Sequence, residues 1–112
     1  MRGGYVPDRG DLVWLTFDPQ SGHEQAGRRP ALVLSPKAYN GATSLALMCP
    51  VTSRVKGYPF ETALPAGPGI GGVVLADQIR SLDWRARKAS LAGAAPPEVV
   101  ADVRAKLAAL LE

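Results

Sequence analysis

Apolar residues in this chain fall mostly in short blocks, and their spacing changes only near the end. "DLVWLTF" (Asp11 to Phe17) is apolar almost throughout and rich in strand formers, which predicts a strand. "DPQSGHEQAGRR" (Asp18 to Arg29) holds turn residues without periodicity and reads as a long loop. "PALVLS" (Pro30 to Ser35) and "SLALMCPVT" (Ser44 to Thr52) predict the second and third strands. Pro30 is tolerated at a strand start, where a ladder donor is not required. "SRVKGYP" makes a second loop, polar and basic, and "FETAL" (Phe60 to Leu64) alternates as a half-exposed strand does. "PAGPGIGG" reads as a turn or flexible loop, and "VVLADQIRSLDW" (Val73 to Trp84) as one long strand or two joined by a bend.

From Pro96-Pro97 onward the period lengthens. Val99, Val100, Val103, Leu107, Leu110 and Leu111 recur every three or four residues with charges between them. This predicts an amphipathic helix of about four turns, packed over one end of the sheet. Proline in the first turn favours it, and Glu98 suits the positive helix end. Five or six short strands with a closing helix make a mainly β fold with α. The expected architecture is a small, SH3-like curved sheet or partly open barrel with a C-terminal amphipathic helix. No repeat appears, and residues 1–112 are expected to form a single domain.

Composition narrows the class. The chain is 46% apolar and 21% charged, with 12 glycines and 10 prolines that fit many turns between short strands. Cys49 stands alone, which excludes an intrachain disulfide and suits a reducing compartment. No apolar run approaches the roughly 18 residues that span a membrane, and "MRGGYVPDRGD" has no signal-peptide core. A soluble, cytoplasmic protein without membrane contact is expected. The net charge of +3 is uneven. From Glu98 onward three acids outnumber two bases, so residues 1–97 carry +4. The bases gather at Arg28-Arg29, Arg54-Lys56 and Arg80-Arg85-Arg87-Lys88, as an anionic polymer would require or as a solvated surface would show.

Several chemistries are excluded. "GPGIGG" is followed by neither Lys-Ser/Thr nor a helix start, so it is not a phosphate-cradling loop. His23 and Cys49 lie in different elements and the acids lack paired spacing, so neither a metal nor another cofactor is expected. His23 reads as an exposed loop residue. No nucleophile elbow supports a Ser-His-Asp hydrolase. What remains is arginines, a threonine, amides and carboxylates. That set suits cleavage of RNA through its own 2′-hydroxyl, which needs alignment, two proton transfers and neutralisation of a five-coordinate phosphorane. Arginine presents planar donors to phosphate oxygens, and a hydroxyl such as that of Thr52 donates to the same atoms. The residues alone leave open which of the 13 basic side chains acts. Arg29 also has a reading as a loop-ordering partner of Glu24, and Thr52 as a cap on a backbone group.

The stretches "YVPDRGDLVWLTFDP", "GHEQAGRRPALVLSP", "MCPVTSRVKGYPFE" and "LADQIRSLDWRAR", followed by the closing helix, are similar to the MazF toxins of bacterial toxin–antitoxin modules, within the MazF/PemK/Kid family. The resemblance covers nearly the whole chain. It implies a compact SH3-like barrel with appended helices, a homodimer, and metal-independent, sequence-specific cleavage of single-stranded RNA. It also implies a MazE-like antitoxin whose acidic segment occupies the RNA-binding face.

Carried over residue by residue, the resemblance makes Arg29 and Thr52 catalytic and Glu24 an acidic position tied to activity, the candidate base. Gln25 belongs to the first loop that helps hold RNA, and Arg28 adds a charge where relatives often differ, expected to contact an RNA phosphate or the antitoxin. Lys56 and Tyr58 match the second loop, with Tyr58 suited to stacking on a base. Asp77, Gln78, Arg80 and Ser81 match a strand lining the groove, where Gln reads base edges by paired hydrogen bonds. Gly10 and Asp11 match a fold-defining turn. Trp14 and Trp84 suit core or dimer contacts, and Arg85, Arg87 and Lys88 suit nonspecific phosphate steering. Two other classes stand beside this one: a non-nucleolytic toxin on the same fold acting on a protein such as gyrase, and a non-catalytic RNA-binding module.

Overall fold

The computed structural model describes residues 4–16, 27–67 and 69–112. Seven strands form one antiparallel sheet: β1 (Asp11–Thr16), β2 (Arg28–Val33), β3 (Leu45–Thr52), β4 (Glu61–Ala63), β5 (Val73–Leu75), β6 (Arg80–Asp83) and β7 (Ser90–Ala94). The order is β4-β5-β3-β2-β1-β7, with β6 beside β3. On the edge facing away from β2, β3 serves two partners in turn. Leu45 to Met48 pair with β6, and Val51 and Thr52 pair with β5. Between them runs the short 3-10 turn Ala76–Gln78, against which the Cys49 thiol packs, its sulfur 3.7 Å from the Ala76 carbonyl. The Val73–Trp84 segment is therefore two strands joined by a bend, and the sheet is open.

Register explains why the first three strands read as continuous apolar runs. Leu12 pairs with Leu32 and Leu32 with Cys49, while Val13 pairs with Ala31 and Val33 with Met48. Successive residues point to opposite faces of a sheet, and here both faces are covered. One face builds a core with Leu12, Leu32, Cys49, Val51 and Val74 beneath the helix residues Val99 and Val103. The other packs Val13, Leu15, Val33 and Met48 against Leu82 and Trp84.

The closing helix, α2 (Pro97–Leu111), begins on its proline and carries Glu98 in the first turn, as its sequence predicts. Two elements are additional to the expected set. The first is helix α1 (Lys37–Thr43), whose leading amide, Lys37 N, donates to Asp8 Oδ1 at 2.9 Å. Its Asn40 is fully buried: Nδ2 donates to the Pro7 and Ser35 carbonyls at 2.8 and 3.0 Å, and Oδ1 accepts the Ser35 hydroxyl at 2.6 Å. Trp84 Nε1 donates to the Asn40 carbonyl, so Trp84 is a core residue with a satisfied polar end. The second is β7, which pairs with β1 through a register shift at Leu12/Val13.

Gly10 and Asp11 form the turn expected of them. Gly10 holds φ +95°, donates to the Val33 carbonyl and accepts from Ala95 N, which joins three segments. The Asp11 carboxylate accepts the Tyr5 hydroxyl and the Asp8 amide at 2.5 and 3.0 Å. Burial, then Asp11, pushes the Tyr5 phenol well above its ordinary range.

Candidate active site

Antiparallel pairing brings the start of β2 and the end of β3 to the same edge of the molecule. The β2–β3 register ends at Ala31↔Pro50, and Arg29 and Thr52 each lie two residues beyond it, at the adjoining ends of their strands. Both line one open cavity of about 450 Å³, together with Trp14, Arg28, Pro30, Val51 and the Gly69–Gly71 segment. Trp14, for which a core or dimer contact is the sequence expectation, is 40% exposed on this wall. Thr52 also lines a second cavity of about 120 Å³ with Arg54, Lys56, Tyr58, Glu61 and Gln78. The two cavities share Thr52, and Arg28, Arg29, Arg54 and Lys56 line this stretch of surface.

The Thr52 hydroxyl is oriented. Its Oγ1 accepts the Arg54 amide at 3.1 Å, which leaves the hydroxyl hydrogen to donate outward. The backbone beneath it is fixed by Gly72, a residue absent from the sequence-derived site. Gly72 holds φ +104°, and a Cβ placed there would lie 2.2 Å from the Thr52 carbonyl oxygen. Arg29 is exposed and, among the described residues, has no ion-pair partner. A guanidinium and a hydroxyl thus face one cavity with donors to offer.

Arg28 lines the same cavity and is also braced within the fold. Its Nη1 donates to the Lys88 and Arg87 carbonyls at 2.8 and 3.2 Å, and its Nη2 donates to Ser90 Oγ and the Trp14 carbonyl at 3.1 and 3.3 Å. It ties β1 to the turn before β7 across about sixty residues of sequence. Fixed carbonyl dipoles absorb its charge, which is how the paired arginines coexist. The neighbouring bases are also engaged. Arg87 Nη1 donates to the Thr16 carbonyl, and the Arg85 guanidinium lies 4.4 Å from the Trp84 ring centroid. Asp83 shapes this turn by accepting from Ala86 N, Ser44 Oγ and Arg85 N, and these bonds hold its carboxyl below the usual range.

Along the smaller cavity, Lys56 Nζ sits 5.7 Å from the Tyr58 ring centroid, and Tyr58 is 55% exposed. Gln78 joins them from the 3-10 turn. Asp77 is exposed on that turn, and Arg80 and Ser81 are exposed on β6; none of the three lines either cavity. Glu24, Gln25 and His23 lie outside the described residues. Cys49 is buried and its thiol pushed up to about 12, chiefly by burial and then by Asp77, so it is no nucleophile. Among the described residues, no three His, Cys, Asp or Glu side chains cluster as a metal site would require, and no helix is long and apolar enough to cross a membrane.

Residues 8–111 match the family described as PemK-like, MazF-like toxin of type II toxin-antitoxin system. The endoribonuclease toxin MazF of Escherichia coli K12 is 51% identical over 107 residues, 96% of each chain. The endoribonuclease toxin ChpB of the same strain is 41% identical over 94% of each chain. Among solved structures, MazF from Deinococcus radiodurans superposes with a TM-score of 0.87 at 67% identity, covering 96% of this chain and 98% of that one. The MazE-MazF complex from the same organism gives 0.87 at 61% identity, covering 96% and 97%.

Proposed function

Because this chain belongs to the PemK-like, MazF-like toxin family of type II toxin–antitoxin systems, we propose that it is a sequence-specific endoribonuclease toxin acting on single-stranded RNA. The observation that carries this reading is the shared cavity of Arg29 and Thr52. In the proposed reaction the substrate's own 2′-oxygen attacks the adjacent phosphorus and the 5′-oxygen leaves. The products are a 2′,3′-cyclic phosphate and a 5′-hydroxyl. One proton leaves the 2′-hydroxyl and one reaches the departing oxygen, so the step balances without an outside reactant.

Arg29 donates to the non-bridging oxygens as charge builds on the phosphorane, and Thr52 donates its free hydroxyl hydrogen to the same group. An arginine is a poor general base, since its pKa lies above about 12, which leaves Glu24 as the proton acceptor. Lys56, Tyr58 and Gln78 hold and read the strand beyond Thr52, joined by Gln25 from the first loop. Arg28 braces the fold at the cavity edge and adds positive charge beside the phosphate, and Asp77, Arg80 and Ser81, exposed next to Gln78, extend the RNA-contacting surface. The protein works as a cytoplasmic homodimer, and an acidic segment of a MazE-like antitoxin neutralises it by covering the basic groove.

The test is incubation of unstructured RNA with the purified protein in excess EDTA, beside Arg29→Ala and Thr52→Ala variants. Cuts at one short sequence with 5′-hydroxyl ends, slowed about 10²–10³-fold in each variant, are expected. Intact RNA from folded, antitoxin-free protein, or 5′-phosphate ends, overturns the reading.

A further inference from the structure

We propose that Glu61 is a positioning residue that sets how the 53–60 loop presents Lys56 and Tyr58 to RNA, and that Lys106 on the C-terminal helix anchors it. The inference rests on the endoribonuclease reading of the groove.

The loop has little to hold itself in place. Residues 53–59 are exposed, and Gly57 sits at φ +83°. Fixing backbone residues has an entropic cost, so a defined loop needs specific bonds. Glu61 supplies them. Its Oε2 accepts the Lys56 amide at 3.1 Å, its Oε1 accepts the Gly57 amide at 3.0 Å, and its own amide donates to the Tyr58 carbonyl at 3.1 Å. Bonds from amides to an ionised carboxylate are stronger than neutral ones. A carboxylate lining a groove built for phosphate is otherwise out of place, and here both of its oxygens are committed to the loop backbone.

Glu61 opens β4, a strand of three residues paired only with β5. The anchor comes from α2. Lys106 Nζ donates to the Glu61 carbonyl at 2.8 Å, to Thr62 Oγ1 at 3.0 Å and to Asp102 Oδ2 at 2.7 Å. Thr62, buried, donates its hydroxyl to the same Asp102 oxygen at 2.7 Å. All three ammonium hydrogens are thereby used, two of them on β4. An exposed i,i+4 ion pair alone contributes little. This one also holds a backbone carbonyl and a buried hydroxyl, so a path of direct bonds runs from helix to strand, to carboxylate, to loop.

Two measurements on the full chain test this with Glu61→Gln, Glu61→Ala, Thr62→Val and Lys106→Met. The first is amide hydrogen exchange at Lys56 and Gly57, which needs no RNA. Exchange about tenfold faster in Glu61→Ala, the worth of roughly one hydrogen bond, is expected, with Glu61→Gln intermediate. Lys106→Met and Thr62→Val should accelerate the same amides while those of Val51 and Val74 keep their protection. The second is steady-state cleavage of a short RNA, where KM should rise about threefold to tenfold, with kcat falling less. Unchanged exchange at Lys56 and Gly57 in Lys106→Met, in folded protein, overturns the anchor. A fall in kcat with KM unmoved in Glu61→Gln overturns the positioning role and gives Glu61 to the chemistry. Failure of the wild type to cut RNA sinks the nuclease reading and the RNA-presenting role, and exchange alone then decides whether the helix-to-loop clamp stands.

Discussion

The α-carbon of Gly72 abuts the carbonyl of Thr52 so closely that any Cβ at position 72 would stand 2.2 Å from that oxygen and 2.9 Å from its carbon. The obstacle is backbone, so a side chain there must displace the end of β3 itself. Its φ of +104° adds strain that L-residues rarely accept. Gly72→Ala should cost about 1–3 kcal/mol of stability and lower kcat on RNA by about 10²-fold through misplacement of Thr52. Thermal unfolding and single-turnover cleavage check the two effects, and full activity in the folded variant would refute the link.

The adjacent arginines should separate cleanly. Arg28→Ala removes the donor to five acceptors on β1 and the 87–90 segment, of which the Arg87 carbonyl keeps the Thr16 amide. Because those groups are partly solvated, a loss of about 1–2 kcal/mol is expected. Arg29→Ala should change stability by no more than about 0.5 kcal/mol while removing most cleavage. Denaturant titrations of both variants, set beside their cleavage rates, test the division; equal destabilisation would contradict it.

Asn40→Ala should be the most damaging of the single changes considered. It strands the Pro7 and Ser35 carbonyls and the Ser35 hydroxyl in the interior, at about 3 kcal/mol or more. For a domain of this size the melting temperature should drop by roughly 10 °C. A shift of one or two degrees in calorimetry would mean the network is dispensable.

Acid should release the helix clamp. The Lys106 ammonium, then the Thr62 hydroxyl, holds the Asp102 carboxyl below its usual range. A carboxyl with a lower pKa folded than unfolded stabilises fully above the unfolded value of about 3.9 and loses that contribution as pH falls through the folded value. The wild type should therefore melt above Asp102→Asn by a constant margin from about pH 5 upward, and the margin should close below pH 4. Melting curves from pH 2 to 7 measure this, and a margin that survives at pH 2 would count against it.

The parts of the fold that were legible in sequence are those whose signal is local. β1, β2 and β3 are apolar on both faces, and α2 has a helical period opened by proline and glutamate. Helix α1 was not legible because "KAYNGAT" has poor helix formers; it depends on Asp8, 29 residues earlier, and on the buried contacts of Asn40. β7, "SLAGA", has small side chains and no alternation, and β1 makes it a strand. In the site, resemblance pointed to Arg29 and Thr52, and the structure brings them to one cavity. The bracing by Arg28, the fit of Gly72 under Thr52 and the hold of Glu61 on its loop all depend on tertiary approach, which periodicity and composition do not encode.

The 53–60 loop leaves the sheet at the end of β3 and returns at β4, and the atoms that fix it lie at its borders, in Thr52 and Glu61. Residues 53–59 are exposed and stay out of the core, which only Phe60 of this loop packs against. Such a segment is a cassette: the exposed residues 53–59 can be exchanged while the scaffold and the arginine–threonine pair stay put. If the proposed RNA contacts of Lys56 and Tyr58 hold, a laboratory graft of a foreign 53–59 segment between Thr52 and Phe60 should carry its donor's RNA preference with it while the fold keeps its stability.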